Sequence, residues 1–218
     1  MIALGLIVCL LSGAPEAGGC DAADIVEAVR DERITGSLAG AEAEARRLLE
    51  CRDLASEARL GLQIELARVL DRGGLHHNTR PVTEALEILQ ETERGVGSGD
   101  RRGRAEISLA LAEYHYRAET GEREFPRATA YAREAEALFR ELSDPVGETD
   151  AVHRLGLIAF QKRDLDPARE LFDRSLELSR GGPRRPIFLS DYHRHVGFVD
   201  MLSGDQSSAI AHFEKSLA

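Results

Sequence analysis

The sequence has no Trp, only four Tyr and seven Phe, and only three Cys. None of the cysteines forms a Cys-x-x-Cys pair or joins His residues at metal-ligand spacing, which excludes a structural zinc site. Lysine occurs only as Lys162 and Lys215. The excess of Arg reads as the codon bias of a GC-rich genome. Cations are also outnumbered, and the formal net charge is −10. A nucleic-acid binder needs cationic surface to displace phosphate counterions, so that class is excluded. Long β-branched runs are missing, while Leu, Ala, Glu and Arg dominate, which favours helix. No nucleophile-elbow, Walker, His-Glu-x-x-His or dinucleotide-binding pattern occurs. Hydrophobic residues at 43% still suffice for a buried core, so the chain reads as a helical, non-catalytic, cofactor-free protein.

What is present is a repeat. Leu155-Gly156 is followed by Asp164, Ala168, Phe172, Ser175 and Leu176. Forty-one residues later, Val196-Gly197 is followed by Asp205, Ala209, Phe213, Ser216 and Leu217. A fixed period of this size marks a solenoid, in which each unit buries its apolar face only by stacking on the next. The clearest unit starts at Asp144, a helix cap followed by Pro145 at the first helical position. Its two apolar stripes are Val152, Leu155, Gly156, Ala159 and then Leu165, Ala168, Leu171, Phe172, Leu176, with Lys162-Arg163-Asp164 as the turn. Gly156 and Ala168 are small enough for two antiparallel helices to approach closely, with Phe172 filling the space beyond. Looser units precede it, marked by Leu111-Ala112 and by Leu60-Gly61. The spacing predicts an all-α solenoid with units at about 22–50, 54–93, 100–142, 145–180 and 186–218.

The order Leu-Gly, a turn carrying Asp, Ala, then Phe four residues on resembles the tetratricopeptide (TPR) repeat. The 41-residue spacing exceeds that family's usual length of about 34. It is similar to the longer repeats of kinesin light chains and of the repeat arms of bacterial signalling proteins. The resemblance implies a right-handed superhelix whose first helices line a concave groove that holds another protein as a peptide or helix. It points side chains three before, one after and four or five after each Gly into that groove: Leu109, Glu113, Tyr116 and Arg117; His153, Leu157, Phe160 and Gln161; Arg194, Phe198, Met201 and Leu202. Leu157 and Phe198 stand where a clamp for a C-terminal carboxylate would want Asn or Arg, so that mode is not expected. The bland alternative is that some of these apolar residues pack against the neighbouring repeat.

Other candidates read as structure. His193 and His195 point about 200° apart on a helix and cannot chelate one ion, and a site joining His153 to His193 lacks a third ligand. His76-His77 reads as solvated turn, His115 as packing between Tyr114 and Tyr116, Gly95 to Gly103 as a linker, and the clusters Arg101-Arg102-Gly103-Arg104 and Arg184-Arg185 as solvated loop charge. Ile210, Phe213 and Leu217 lie in the last apolar stripe with no polar closing helix after them. Solenoid ends normally need such a cap, so self-association through this face is one expectation. A longer parent protein, such as a signalling or CHAT-type (caspase-like) peptidase whose sensor arm this is, is the alternative.

Residues Ile2 to Ala14 form an apolar run too short to span a bilayer but of signal-peptide length. Ala17-Gly18-Gly19-Cys20 then resembles a bacterial lipobox, with residues 1–19 removed and Cys20 lipidated. The resemblance implies export to the cell envelope and membrane attachment only through the lipid. The alternatives are a buried N-terminal helix and, if Cys20 is not acylated, a Cys20–Cys51 disulfide. Radiolabelled palmitate is expected to enter the expressed chain and to be lost in Cys20→Ala; equal labelling of both would sink the lipidation reading.

Overall fold

The computed structural model describes residues 22–35, 37–73, 80–117, 124–183 and 185–217. Cys20, the apolar run before it and His76-His77 lie outside the described residues. Among the described residues are ten α-helices and no strand: α1 (Ala22–Thr35), α2 (Leu38–Leu49), α3 (Ser56–Gly73), α4 (Arg80–Gly95), α5 (Arg101–Arg117), α6 (Phe125–Glu141), α7 (Pro145–Gln161), α8 (Leu165–Ser179), α9 (Pro186–Ser203) and α10 (Gln206–Ser216). None of them is long and apolar enough to cross a membrane.

Each helix packs on its neighbours in the chain, and helices joined by so few residues can lie along one another only by reversing direction. The odd-numbered helices also pack backbone against backbone in series, α1 on α3, α3 on α5, α5 on α7 and α7 on α9, whereas even-numbered helices meet only through long side chains, as Arg46 of α2 meets Glu84 of α4 and Arg174 of α8 meets Glu136 of α6. A double layer that is in contact on one side and splayed on the other curves toward the contacting side. The chain is therefore an α-solenoid with the odd-numbered helices on its concave face.

Local chemistry sets the turns. Ser143, Arg163 and Gly204 have positive φ (53°, 68° and 88°) and end α6, α7 and α9. Each is followed by an Asp whose N–H reaches the carbonyl five residues back: Asp144 to Phe139 at 2.9 Å, Asp164 to Ala159 at 3.0 Å, Asp205 to Asp200 at 2.9 Å. This left-handed closure satisfies carbonyls that a helix end would otherwise leave unpaired. Asp144 then caps α7, its Oδ1 accepting from Val146 N–H at 3.1 Å and Gly147 N–H at 3.0 Å.

The basic cluster at Arg101 is not loop charge. It forms the first turn of α5, capped by Asp100, whose Oδ1 accepts from the buried Gly103 N–H at 2.8 Å. Its arginines pair across the stack, Arg101 with Glu141, Arg102 with Asp144 and Arg104 with Glu134. The linker before α5 is correspondingly shorter than Gly95 to Gly103. Cys51 is half-buried and forms no disulfide with another described residue.

Glycine meets an aromatic ring three times along the stack. A Cβ on Gly147 would stand 2.2 Å from the Phe139 ring, one on Gly156 2.7 Å from Phe172, and one on Gly197 2.8 Å from Phe213. In the third unit Ala112 replaces the Gly and Ala132 the Phe, and both are fully buried. Ring and methyl thus exchange across the same contact. Beyond the last pair, Met201, Leu202, Ile210 and Leu217 are exposed, whereas Phe213 is half-buried against Phe198.

Gly156→Ala sets a gain in helix propensity of about 1 kcal/mol against overpacking of roughly 1–3 kcal/mol. Phe172 is fully buried and cannot retreat, so we expect a net loss of stability in urea unfolding. Gly197→Ala is expected to cost less, because Phe213 is only half-buried. A Gly156→Ala protein more stable than wild type would contradict this packing.

Candidate functional site

The concave face holds one groove of about 1160 Å³, running from α1 to α9. Its lining carries eight arginines and eight carboxylates and is therefore neutral, in a chain of net charge −10. The charges are not evenly spread.

At the centre, two carboxylates are sunk among arginines from four helices. Glu65 on α3 has a side chain only 1% exposed; it accepts from Arg30 Nε at 3.3 Å, Arg33 Nε at 2.8 Å and an Arg68 terminal nitrogen at 2.7 Å. Glu113 on α5 accepts from Arg68 Nε at 3.3 Å and from Arg117 and Arg154, each at 3.2 Å. Arg154 on α7 also donates to the Tyr116 hydroxyl at 2.9 Å and lies 5.6 Å over its ring. Burial penalises both carboxylates, and the surrounding guanidinium groups outweigh it, holding Glu65 and Glu113 below the usual carboxylate range. The same exchange holds Arg68 and Arg154 above the usual Arg value.

Arg72, half-buried beside this network, forms no ion pair with another described residue; burial and its neighbours Arg33 and Arg117 lower its pKa. Its charge is thus surplus in the groove's interior. Toward the α9 end the lining turns aromatic. The Phe160 and Phe198 rings lie 6.5 Å apart, and Ile187 is 70% exposed. At the α1 end Ile34 is 50% exposed.

His153 and His195 form a second feature. Nε2 of His153 lies 3.3 Å from Nδ1 of His195 across the α7–α9 seam, between the rings of Phe172 and Phe188. His193 faces the other way, its Nδ1 3.1 Å from Nδ1 of His212 on α10. The 200° separation of the two histidines is therefore realised, but the partner of His153 is His195 and not His193. No group of three or more His, Cys, Asp or Glu among the described residues could hold a metal ion. His115 packs against Tyr114 and Tyr131 and meets Glu124 at 2.8 Å.

Ten of the twelve residues assigned to the groove line it: Leu109, Glu113, Tyr116, Arg117, His153, Leu157, Phe160, Gln161, Arg194 and Phe198. Leu109, Glu113, Tyr116, His153 and Leu157 are buried in its wall, so they shape the groove more than they present to its interior. Met201 and Leu202 do not line it. They occupy the last turn of α9, where no further helix stands beside them as α9 stands beside Phe160. Sequence reasoning missed Glu65, Arg68, Arg72 and Arg154. A register mark was available: counted from Gly61, the polar stripe Glu65, Arg68, Arg72 follows helical spacing. Arg185, read as loop charge, stands at the residue before α9, pairs with Asp150 and lies 5.2 Å over the Phe188 ring.

No family model and no curated protein matches the chain. Solved structures do. BtubC (BKLC) from P. vanneervenii superposes with a TM-score of 0.53 at 22% identity, covering 89% of this chain and 77% of that one. A Podosopora anserina kinesin light chain with nearly identical TPR-like repeats gives 0.51 at 17% identity, covering 89% and 92%. The fold is a TPR-like helical-repeat solenoid.

Glu113→Gln leaves Arg154 and Arg68 buried without their shared anion, and is expected to cost about 3–5 kcal/mol in urea unfolding. Glu44→Gln, which breaks an exposed pair with Arg47, should stay within about 1 kcal/mol. Equal effects would contradict a buried network. Because the folded-state pKa values of Glu65 and Glu113 are depressed, their contribution is present above the unfolded value of about 4.3 and is lost as pH falls below it.

Proposed function

We propose that this protein is a non-catalytic scaffold that holds an extended segment of another protein in its concave groove. At the groove's centre Arg33, Arg68, Arg72, Arg117 and Arg154 outnumber Glu65, Glu113 and Asp71 in a chain of net charge −10, and that surplus carries the reading. That surplus selects carboxylates, and Arg72, unpaired among the described residues, is the guanidinium free to take one. Phe160, Phe198 and Ile187 at the α9 end suit an apolar side chain of the same segment. An extended occupant matches a groove that crosses five helices, because successive side chains can address successive repeats. The partner's charge pattern, more than buried area, would set specificity. Export and anchoring through a lipid on Cys20 belong to the same proposal. They are supported by the apolar run Ile2 to Ala14 and the Ala17-Gly18-Gly19-Cys20 sequence.

A peptide array tests the reading. Dodecamers that differ only in carrying Glu or Lys at their central positions should separate cleanly, the Glu series binding and the Lys series not. Arg72→Glu is expected to weaken the best Glu peptide at least about tenfold, or ~1.4 kcal/mol, with the far-ultraviolet circular dichroism unchanged. Arg194→Glu combined with Phe198→Ala is expected to remove the preference for an apolar end residue. Equal binding of the Lys series, or indifference to Arg72→Glu, would overturn the proposal.

A further inference from the structure

The seam between α7 and α9 closes on two imidazoles. The His153 and His195 rings lie 5.2 Å apart. Phe172 of α8 stands 5.0 Å from His153 and stacks on His195 at 5.7 Å, and Phe188 of α9 meets His153 edge-on at 5.5 Å. Nδ1 of His153 is buried and has no hydrogen-bond partner among the described residues. The neutral pair carries two protons, one of them shared between the facing nitrogens 3.3 Å apart. A third proton fits only with an N–H on the buried Nδ1 of His153, where no described residue accepts it. A fourth sets imidazolium against imidazolium. The charged groups around the pair are mostly cationic: Arg154 on α7, Arg185 at the start of α9 and Arg194 on α9, opposed by Asp191 on α9.

We propose that acid opens the groove at its α9 end, with the His153–His195 pair as the sensor. Protonation forces the rings apart, α9 moves away from α7, and the wall formed by Phe160 and Phe198 widens. The pair's ionisation agrees with the geometry. Burial, followed by the neighbouring cations, holds His153 well below the ordinary His value and His195 at about 4. In an opened seam both return toward about 6.5. The open form therefore binds more protons, and the closed seam weakens as pH falls below that value, its contribution exhausted on passing through the folded-state values. His193 and His212 lie on the other side of α9, half-buried, and serve as a control. That opening disables binding rests on the groove reading above; the opening itself is measured without any partner.

Hydrogen–deuterium exchange of the full chain at pH 7 and pH 4.5, corrected for intrinsic exchange, tests the sensor. Opening of α9 relative to α3 is expected to rise more than about tenfold in acid. His195→Phe keeps the stacking on Phe172 and should reduce that rise, and His153→Phe combined with His195→Phe should abolish most of it, whereas His193→Phe should leave it. His153→Phe provides a second variant if His195→Phe does not fold. An acid response that persists in the seam variants, or is missing from the wild type, overturns the proposal. Acid opening without any loss of Glu-peptide binding would leave the sensor standing and count against the groove reading.

Discussion

The close approach of the two helices in each unit is the constraint on which the rest of the structure depends. Gly156 and Gly197 leave room for the rings of Phe172 and Phe213, and Gly147 does the same for Phe139 across the α6–α7 junction. With the helix pairs this close, the odd-numbered helices touch one another in series while the even-numbered ones splay. Curvature follows from that asymmetry, and the groove follows from the curvature. A bulkier residue at these glycines would separate the layers before it disturbed any residue of the groove.

The groove has its own internal constraint. Glu65 and Glu113 are buried at its floor, and each is satisfied only by arginines contributed from different helices. Buried charge is costly unless paired and hydrogen-bonded, so the network fixes how α1, α3, α5 and α7 sit against one another. Arg72 stands beside it with no carboxylate partner among the described residues. The α9 end is held differently, by aromatic and imidazole rings whose stability depends on remaining uncharged. One groove thus combines an ionic half that is insensitive to mild acid with an aromatic half that is not.

Much of the fold was legible in the chain. The echo of Gly156, Asp164, Ala168 and Phe172 at Gly197, Asp205, Ala209 and Phe213 identifies helix, turn and contact together, because each residue is the one its position physically requires. Asp144 as a cap and Pro145 as a first helical residue mark the start of α7. The groove was legible only in part. Offsets from each Gly place Phe160 and Phe198 correctly, but they cannot tell a side chain that points into a groove from one buried in its wall, as with Leu157 and Glu113. They also carried Met201 and Leu202 past the point where a neighbouring helix flanks the groove. The ion network escaped because its members are distant in sequence: Arg33, Arg68, Glu113 and Arg154 are brought together only by stacking. The Arg101 cluster was misread for a related reason, since its acidic partners Glu134, Glu141 and Asp144 lie on later elements.

The central claim is that the concave layer, and no other surface, receives the partner. Photo-crosslinking measures this directly. With a benzophenone side chain placed in turn at Ile34 and Gln161, which line the groove, and at Glu170, exposed on the outer layer, a bound acidic peptide should crosslink at the first two and not at the third. Crosslinking at Glu170 alone would contradict the account.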